Sequence, residues 1–290
     1  MTFKEILLHL RIPFSVFLLP IYFLAVSQQS NGVYECNLYI FFVLHLCIYP
    51  ASNAFNSYCD KDETSIGGLK NPPKVDGKLL FAANILDFTG LFLSVILVDI
   101  RFAFLVLIYV LISRAYSWPL TRLKKYPVAS WLVVGFFQGA FIFIIVFVFG
   151  QNLEIKRVLQ ELTVNSKSPF LGALFSSLLL WSIYPITQIY QHESDAKAGD
   201  TTMSMLLGKR GTFLNTILFF GTASFLSFFF LNQKQLLVFG VLSLPIALFT
   251  LWWFKKVIDN PTHANFENTM RMNILSSFIL NICFGSFLFL

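Results

Sequence analysis

Residues 128–149 read VASWLVVGFFQGAFIFIIVFVF, and from Phe141 to Phe149 no position carries a polar side chain. A strand of a membrane barrel alternates apolar and polar residues, because one face meets lipid and the other lines a lumen. A run that is apolar all round and about 20 residues long instead has the length of a helix crossing the hydrocarbon core. The pattern recurs on both sides of this stretch. Spans are expected near Ile12–Val26, Leu38–Tyr58, Leu79–Val98, Phe102–Trp118, Val128–Phe149, Phe170–Tyr190, Thr212–Leu231, Leu236–Phe254 and Met270–Leu290. Composition agrees: 56% of residues are hydrophobic, 35 are Phe and only 12% are charged, which does not suit a water-facing surface. The expected fold is all-α, a polytopic membrane bundle of about nine transmembrane helices around a central cavity, forming one domain over residues 1–290.

The formal charge of +6 raises the question of nucleic acid, but the placement of the 21 basic residues answers it. With a cytoplasmic N-terminus, one side of the membrane holds Lys4, Arg11, Lys61, Lys70, Lys74, Lys78, Arg114, Arg122, Lys124, Lys125, Lys197, Lys209, Arg210, Lys255, Lys256 and Arg271. The other side holds only Arg101, Lys156, Arg157, Lys167 and Lys234. This is the positive-inside pattern of a multi-pass cell-membrane protein, and it points to anionic lipid as the partner, with no nucleic acid. The first span, followed by Ala25, Val26 and Ser27, also has the form of a cleavable signal peptide, but its removal would break the charge pattern, so it is read as retained. Cys36, Cys47, Cys59 and Cys283 show no close pairing and read as packing residues.

An internal repeat carries the polar chemistry. Residues 49–60 read YPASNAFNSYCD and residues 184–195 read YPITQIYQHESD, each position lying 135 before its counterpart (49 and 184, 60 and 195). The shared pattern, Tyr-Pro-x-x-amide-x-x-amide-x-x-x-Asp, puts Asn53, Asn56 and Asp60, and likewise Gln188, Gln191 and Asp195, on one face of a helix. Single amides in membrane helices commonly serve as interhelical glue. Two matched stripes, each ending in an aspartate at the same side of the membrane, favour a functional site between pseudo-symmetric halves.

Carboxylate and amide oxygens are hard ligands suited to Mg2+ that shares its shell with a phosphate. The best candidates for its ligands are Asn56, Asp60 and Asp195. Glycines and prolines from Gly67 to Pro73 form a bent loop able to bring backbone amides to an anion. Lys70 in that loop, and Arg122 and Lys124 after the fourth span, are the candidate diphosphate partners. Deeper in the spans, Asp87 is the costliest residue to bury and is expected beside a basic partner such as Arg114. A lone His192 with no second imidazole or thiol at ligand spacing does not indicate zinc or haem.

On these residues the chain resembles the UbiA superfamily of intramembrane prenyltransferases, over almost its whole length. That resemblance implies nine helices and two aspartate-rich motifs, after the second and sixth, that bind magnesium and an isoprenyl diphosphate. The first motif, Asn-Asp-x-x-Asp-x-x-x-Asp, falls on Asn56, Ser57, Asp60 and Thr64, with Asp62 and Glu63 nearby as substitutes. The second falls on Gln191 and Asp195, with Lys197 and Gly199 downstream, so the resemblance implies metal ligands at Asn56, Asp60, Asp62, Gln191 and Asp195, catalysis by Asp60 and Asp195, and Lys197 as a further diphosphate partner. The Tyr-Ser-x-Pro run is similar at Tyr116, Ser117 and Pro119, followed by Arg122 and Lys124. Three acids of the resembled pattern are thus replaced, by Ser57, Thr64 and Gln191.

The function this implies is Mg2+-dependent transfer of a prenyl group from an isoprenyl diphosphate to an acceptor within the membrane. The sequence leaves the acceptor open, an aromatic one included. A membrane terpene cyclase and a non-catalytic lipid-binding or transport protein are the rivals, the latter because transporters also carry internal repeats.

Overall fold

The computed structural model describes residues 1–29, 35–151 and 169–290. Helices α1 (Phe3–Leu10) and α2 (Leu19–Ser27) are joined by a 3-10 turn at Ile12–Phe17 into a pair bent by 40°. They are followed by α3 (Glu35–Asp60), α4 (Gly77–Val98), α5 (Ile100–Ser117), α6 (Pro127–Gly150), α7 (Pro169–Thr187), α8 (His192–Ala198), α9 (Met203–Phe230), α10 (Gln233–Asp259) and α11 (Phe266–Phe289). Among the described residues eight helices, α3 to α7 and α9 to α11, are long and apolar enough to cross a membrane, and the bent pair makes a ninth if it counts as one span. The fold is an all-helical polytopic membrane bundle; Lys156, Arg157 and Lys167 of the charge pattern lie outside the described residues.

The outer surface is built for hydrocarbon. Phe88, Phe104, Phe228 and Leu237 are 61–72% exposed, a density of exposed large apolar groups that water-soluble monomers rarely show. Because lipid tails are as apolar as leucine, packing between these helices depends on close approach and on hydrogen bonds rather than on a hydrophobic driving force. Gly139 of α6 shows the first device: a Cβ there would lie 2.6 Å from the Ser177 backbone of α7. The Ala140 N–H donates to Ser177 Oγ at 3.0 Å at the same crossing.

Proline supplies the second device. Pro185 lies inside α7 and has no N–H, so the carbonyl one turn earlier, on Trp181, is released from the helix ladder. It accepts instead from Trp131 Nε1 of α6 and from Asn215 Nδ2 of α9, each at 2.9 Å. Ser182 Oγ donates to the Thr216 carbonyl at 3.1 Å and Thr216 Oγ1 returns a bond to the Ser182 carbonyl at 2.9 Å, so α7 is tied to neighbours on two sides. Pro50 has a parallel effect in α3, where the chain widens into a π-helical segment, Phe42–Ile48, just before it.

Two of the boundaries that differ from the sequence expectation bear on the polar stripes and the loop after them. The sixth span ends at Thr187, not Tyr190; successive i to i+3 bonds carry the chain through Gln188–Gln191 before α8 begins at His192. The second polar stripe is therefore not on one continuous helix as the first is, because the proline-weakened helix end unwinds under Gln188 and Gln191. The seventh helix starts at Met203, nine residues before the expected Thr212 (203 against 212), and is interrupted at Gly208, whose φ of 67° suits glycine.

Candidate active site

Both polar helix ends open onto one cavity of about 700 Å³. From α3 come Asn53, Asn56 and Asp60, with Asp62 just beyond; from the second repeat come Gln188, Gln191 and Asp195; Lys124 enters from the α5–α6 loop and Asp200 from the loop after α8. Farther in, the wall becomes aromatic and aliphatic, with Tyr109, Phe137, Leu179, Ile183 and Phe220 among its residues. A charged mouth above an apolar chamber is the outcome.

Asp60 is placed by helix geometry. It is the last residue of α3, and Lys61, in the left-handed region at φ 51°, ends the helix there. Lys124 hydrogen bonds to Asp60 Oδ1 and also lies 3.5 Å from Asp200 Oδ2. Arg122 forms a two-pronged pair with Asp200, Nε to Oδ1 at 2.7 Å and Nη2 to Oδ2 at 2.8 Å, and its Nη1 is 3.8 Å from Asp60. The bonds to Asp200 hold the Arg122 guanidinium above its usual pKa. Asn56 donates Nδ2 to Ser117 Oγ at 2.8 Å, which leaves its carbonyl oxygen free to accept. Tyr116 and Tyr184, both on the cavity wall, hydrogen bond through their hydroxyls.

Asp195 sits in a different setting. Partial burial raises its carboxyl to a pKa of about 7, with Lys124 opposing the shift and Asp200, Asp62 and Asp60 adding to it. Asp62 is raised in the same direction, by burial first and by Asp60 second. Asp195 Oδ2 and Gln188 Oε1 are buried without a hydrogen-bond partner. Such atoms carry a desolvation cost that a bound ligand relieves.

The sequence also matches the UbiA prenyltransferase family across residues 15–276. The chain belongs to that family. This UbiA family member shares its fold with solved relatives at low identity. A UbiA homologue from Archaeoglobus fulgidus, solved bound to GPP and Mg2+, is 16% identical with a TM-score of 0.67, covering 99% of this chain and 100% of that one. An apo UbiA homologue from Aeropyrum pernix K1 is 17% identical with a TM-score of 0.68, covering 94% and 97%. A digeranylgeranylglyceryl phosphate synthase structure is 19% identical with a TM-score of 0.58, covering 99% and 97%. No curated protein sequence matches the chain.

The donor set of this UbiA family member fits a hard divalent cation: carboxylate and amide oxygens converge, and two of them, on Asp195 and Gln188, are orphaned in a buried position. Among the described residues no three His, Cys, Asp or Glu side chains are gathered as a ready-made metal cage. That matches magnesium, which usually takes one or two carboxylates and completes its shell with phosphate and water.

Of the residues singled out from sequence, Asn56, Asp60, Asp62, Gln191, Asp195 and Lys124 line the cavity, and Arg122 pairs with its acids. Lys70 does not: it pairs with Glu267 at 3.2 Å with both side chains mostly exposed. Lys197 is exposed on α8 and does not line the cavity, and neither does Glu63. The Gly67–Gly68 turn is used structurally. Ile66 and Leu69 exchange backbone hydrogen bonds at 2.9 Å, Gly68 takes φ 83°, and Gly67 is pressed against Phe14. Asp87 and Arg114 do pair, away from the cavity, with the guanidinium 4.0 Å over the Phe55 ring.

Two charged residues of the cavity wall escaped the sequence reading. Arg11, in the left-handed break between α1 and the 3-10 turn, donates to the Gly67 and Asn53 carbonyls at 3.1 and 3.2 Å and so ties the first span to the first motif. Asp200 stood in the loop after the second motif, but nothing local marked it as the partner of Arg122.

Proposed function

We propose that this chain transfers a prenyl group from an isoprenyl diphosphate to an acceptor dissolved in the membrane. The observation that carries the reading is the convergence of Asp60 and Asp195, with Lys124 and Arg122, on one polar mouth that continues into an apolar chamber. The relatives solved with GPP and Mg2+ and with DMAPP and Mg2+ support the same substrate class. The charged end of the bundle faces the cytoplasm of a cell membrane in this reading, following the distribution of lysine and arginine.

In the reaction the bond between the allylic carbon and the diphosphate oxygen breaks, and its electron pair leaves with the diphosphate. The acceptor supplies the electron pair of the new carbon bond, and the proton it loses departs with the diphosphate. Lys124 and Arg122 sit where charge grows on the leaving group, and preorganised cations contribute most there. Mg2+, when bound, would supply further neutralisation of that leaving group, and Asn56, Asp60, Asp62, Gln188, Gln191 and Asp195 are the residues from which its ligands would be drawn. The apolar wall keeps water from the allylic centre.

The test is incubation of membranes carrying the chain with labelled allylic diphosphates and Mg2+, followed by a scan of lipid-soluble products. A prenylated acceptor supports the reading. An acceptor-free hydrocarbon shows cyclisation instead, and an unconsumed diphosphate across a panel of chain lengths and acceptors shows a binding or transport protein.

A further inference from the structure

The oxygen donors at the mouth fall into two groups. Asp60 and Asp200 are already held by cations of the chain: Lys124 bonds Asp60 and lies 3.5 Å from Asp200, and Arg122 clasps Asp200 at 2.7 and 2.8 Å. The two carboxylate side chains are only 8% and 5% exposed, so water does not compete well for them. The other group has no such partner. Asp62 enters none of the ion pairs formed there among the described residues, and Asp195 Oδ2 and Gln188 Oε1 are buried and unbonded, Gln188 being 8% exposed. Ser57, Thr64 and Gln191 stand where the resembled motifs carry further acids.

We infer that Lys124, seated between Asp60 and Asp200 with Arg122 beside it, takes the place of a second divalent cation, so that the site binds diphosphate with a single one on the side of Asp195, Gln188 and Asp62. This rests on the prenyl-transfer reading, because it specifies how that site holds its diphosphate. A lysine ammonium is a compact charge with three donors, enough to touch both carboxylates and still reach a phosphate oxygen. One magnesium needs only one or two carboxylates besides phosphate and water, which the second group supplies. A second cation would have to share Asp60 with Lys124, placing like charges side by side in a poorly solvated pocket.

The experiment is equilibrium dialysis of the full chain in lipid nanodiscs, with inorganic diphosphate in excess and Mn2+ titrated, the bound Mn2+ being counted by EPR. One Mn2+ per chain is expected. Two per chain overturn the inference and leave prenyl transfer standing, whereas no retained diphosphate at any Mn2+ concentration overturns both. In Lys124→Ala the count rises to two and diphosphate affinity falls by about tenfold or more, as for a lost charge-assisted bond. Lys124→Gln, closer in size, carries the same expectation should the alanine variant not fold, and an unchanged count and affinity in a folded variant overturn the inference.

Discussion

Arg122 and Asp200 meet fork to fork, Nε to Oδ1 at 2.7 Å and Nη2 to Oδ2 at 2.8 Å, across 78 residues of sequence. That geometry belongs to a planar guanidinium, and a lysine cannot reproduce it. Arg122→Lys is therefore expected to lower kcat/KM for the isoprenyl diphosphate by about tenfold or more, by loss of charge-assisted hydrogen bonds. A release assay for inorganic diphosphate on purified variant and parent measures it; equal values would show that Arg122 does not meet the leaving group.

The pair of Asp87 and Arg114 has a different job. Asp87 is 8% exposed inside α4, its partner is on α5, and neither lines the cavity. Arg114→Ala leaves a buried carboxylate without its cation and removes the stacking on Phe55, so a loss of about 3–5 kcal/mol is expected. Thermal unfolding in detergent reports it. KM for the diphosphate should stay within about threefold, less than the loss of one hydrogen bond to a charged group.

Asp195 gives the pH dependence a sign. Its carboxyl is raised to about 7 in the folded protein, chiefly by burial, so the protonated form is the one that folding favours. Any stability this gives is present below the ordinary aspartate pKa and is lost as pH rises through about 7. Metal-free protein should become less heat-stable from pH 5 to pH 8, and Asp195→Asn should flatten that slope. Difference infrared spectroscopy should find a protonated carboxyl band near neutrality that the variant lacks. Absence of the band at pH 5 would contradict the burial argument.

The close crossing of α6 and α7 depends on Gly139. A methyl group there would sit 2.6 Å from the Ser177 backbone, which cannot move aside as a flexible side chain does. Gly139→Ala is expected to destabilise the bundle by about 1–3 kcal/mol or more, the usual scale of overpacking. A thermal midpoint equal to that of the parent would show that the two helices can separate without loss.

Much of this was legible in the sequence, for identifiable reasons. Residues 141–149 carry no polar side chain and the span around them is long and apolar enough to cross a bilayer, so its class needs no tertiary information. Asn56 and Asp60 fall where helical spacing puts them, because α3 runs unbroken to Lys61. Gln191 and Asp195 reach the same cavity by another route, since Pro185 weakens the helix end and α8 restarts the chain, which helical spacing alone does not foresee. Lys70 looked like a phosphate partner because it follows a Gly-Gly turn. That turn instead packs on Phe14 and directs Lys70 to Glu267. Arg11 and Asp200 act through partners distant in sequence, and single positions of that kind leave no periodic trace.

In the proposed reaction the two repeated helix ends work as one diphosphate site. Its most direct test is magnesium-dependent release of inorganic diphosphate from an isoprenyl diphosphate by the purified parent, Asp60→Asn and Asp195→Asn proteins. Release by the parent and a fall of about a hundredfold or more in each variant, the cost of removing a charge-stabilising group at a reacting centre, is the result predicted. Release that is unchanged in both variants would contradict it.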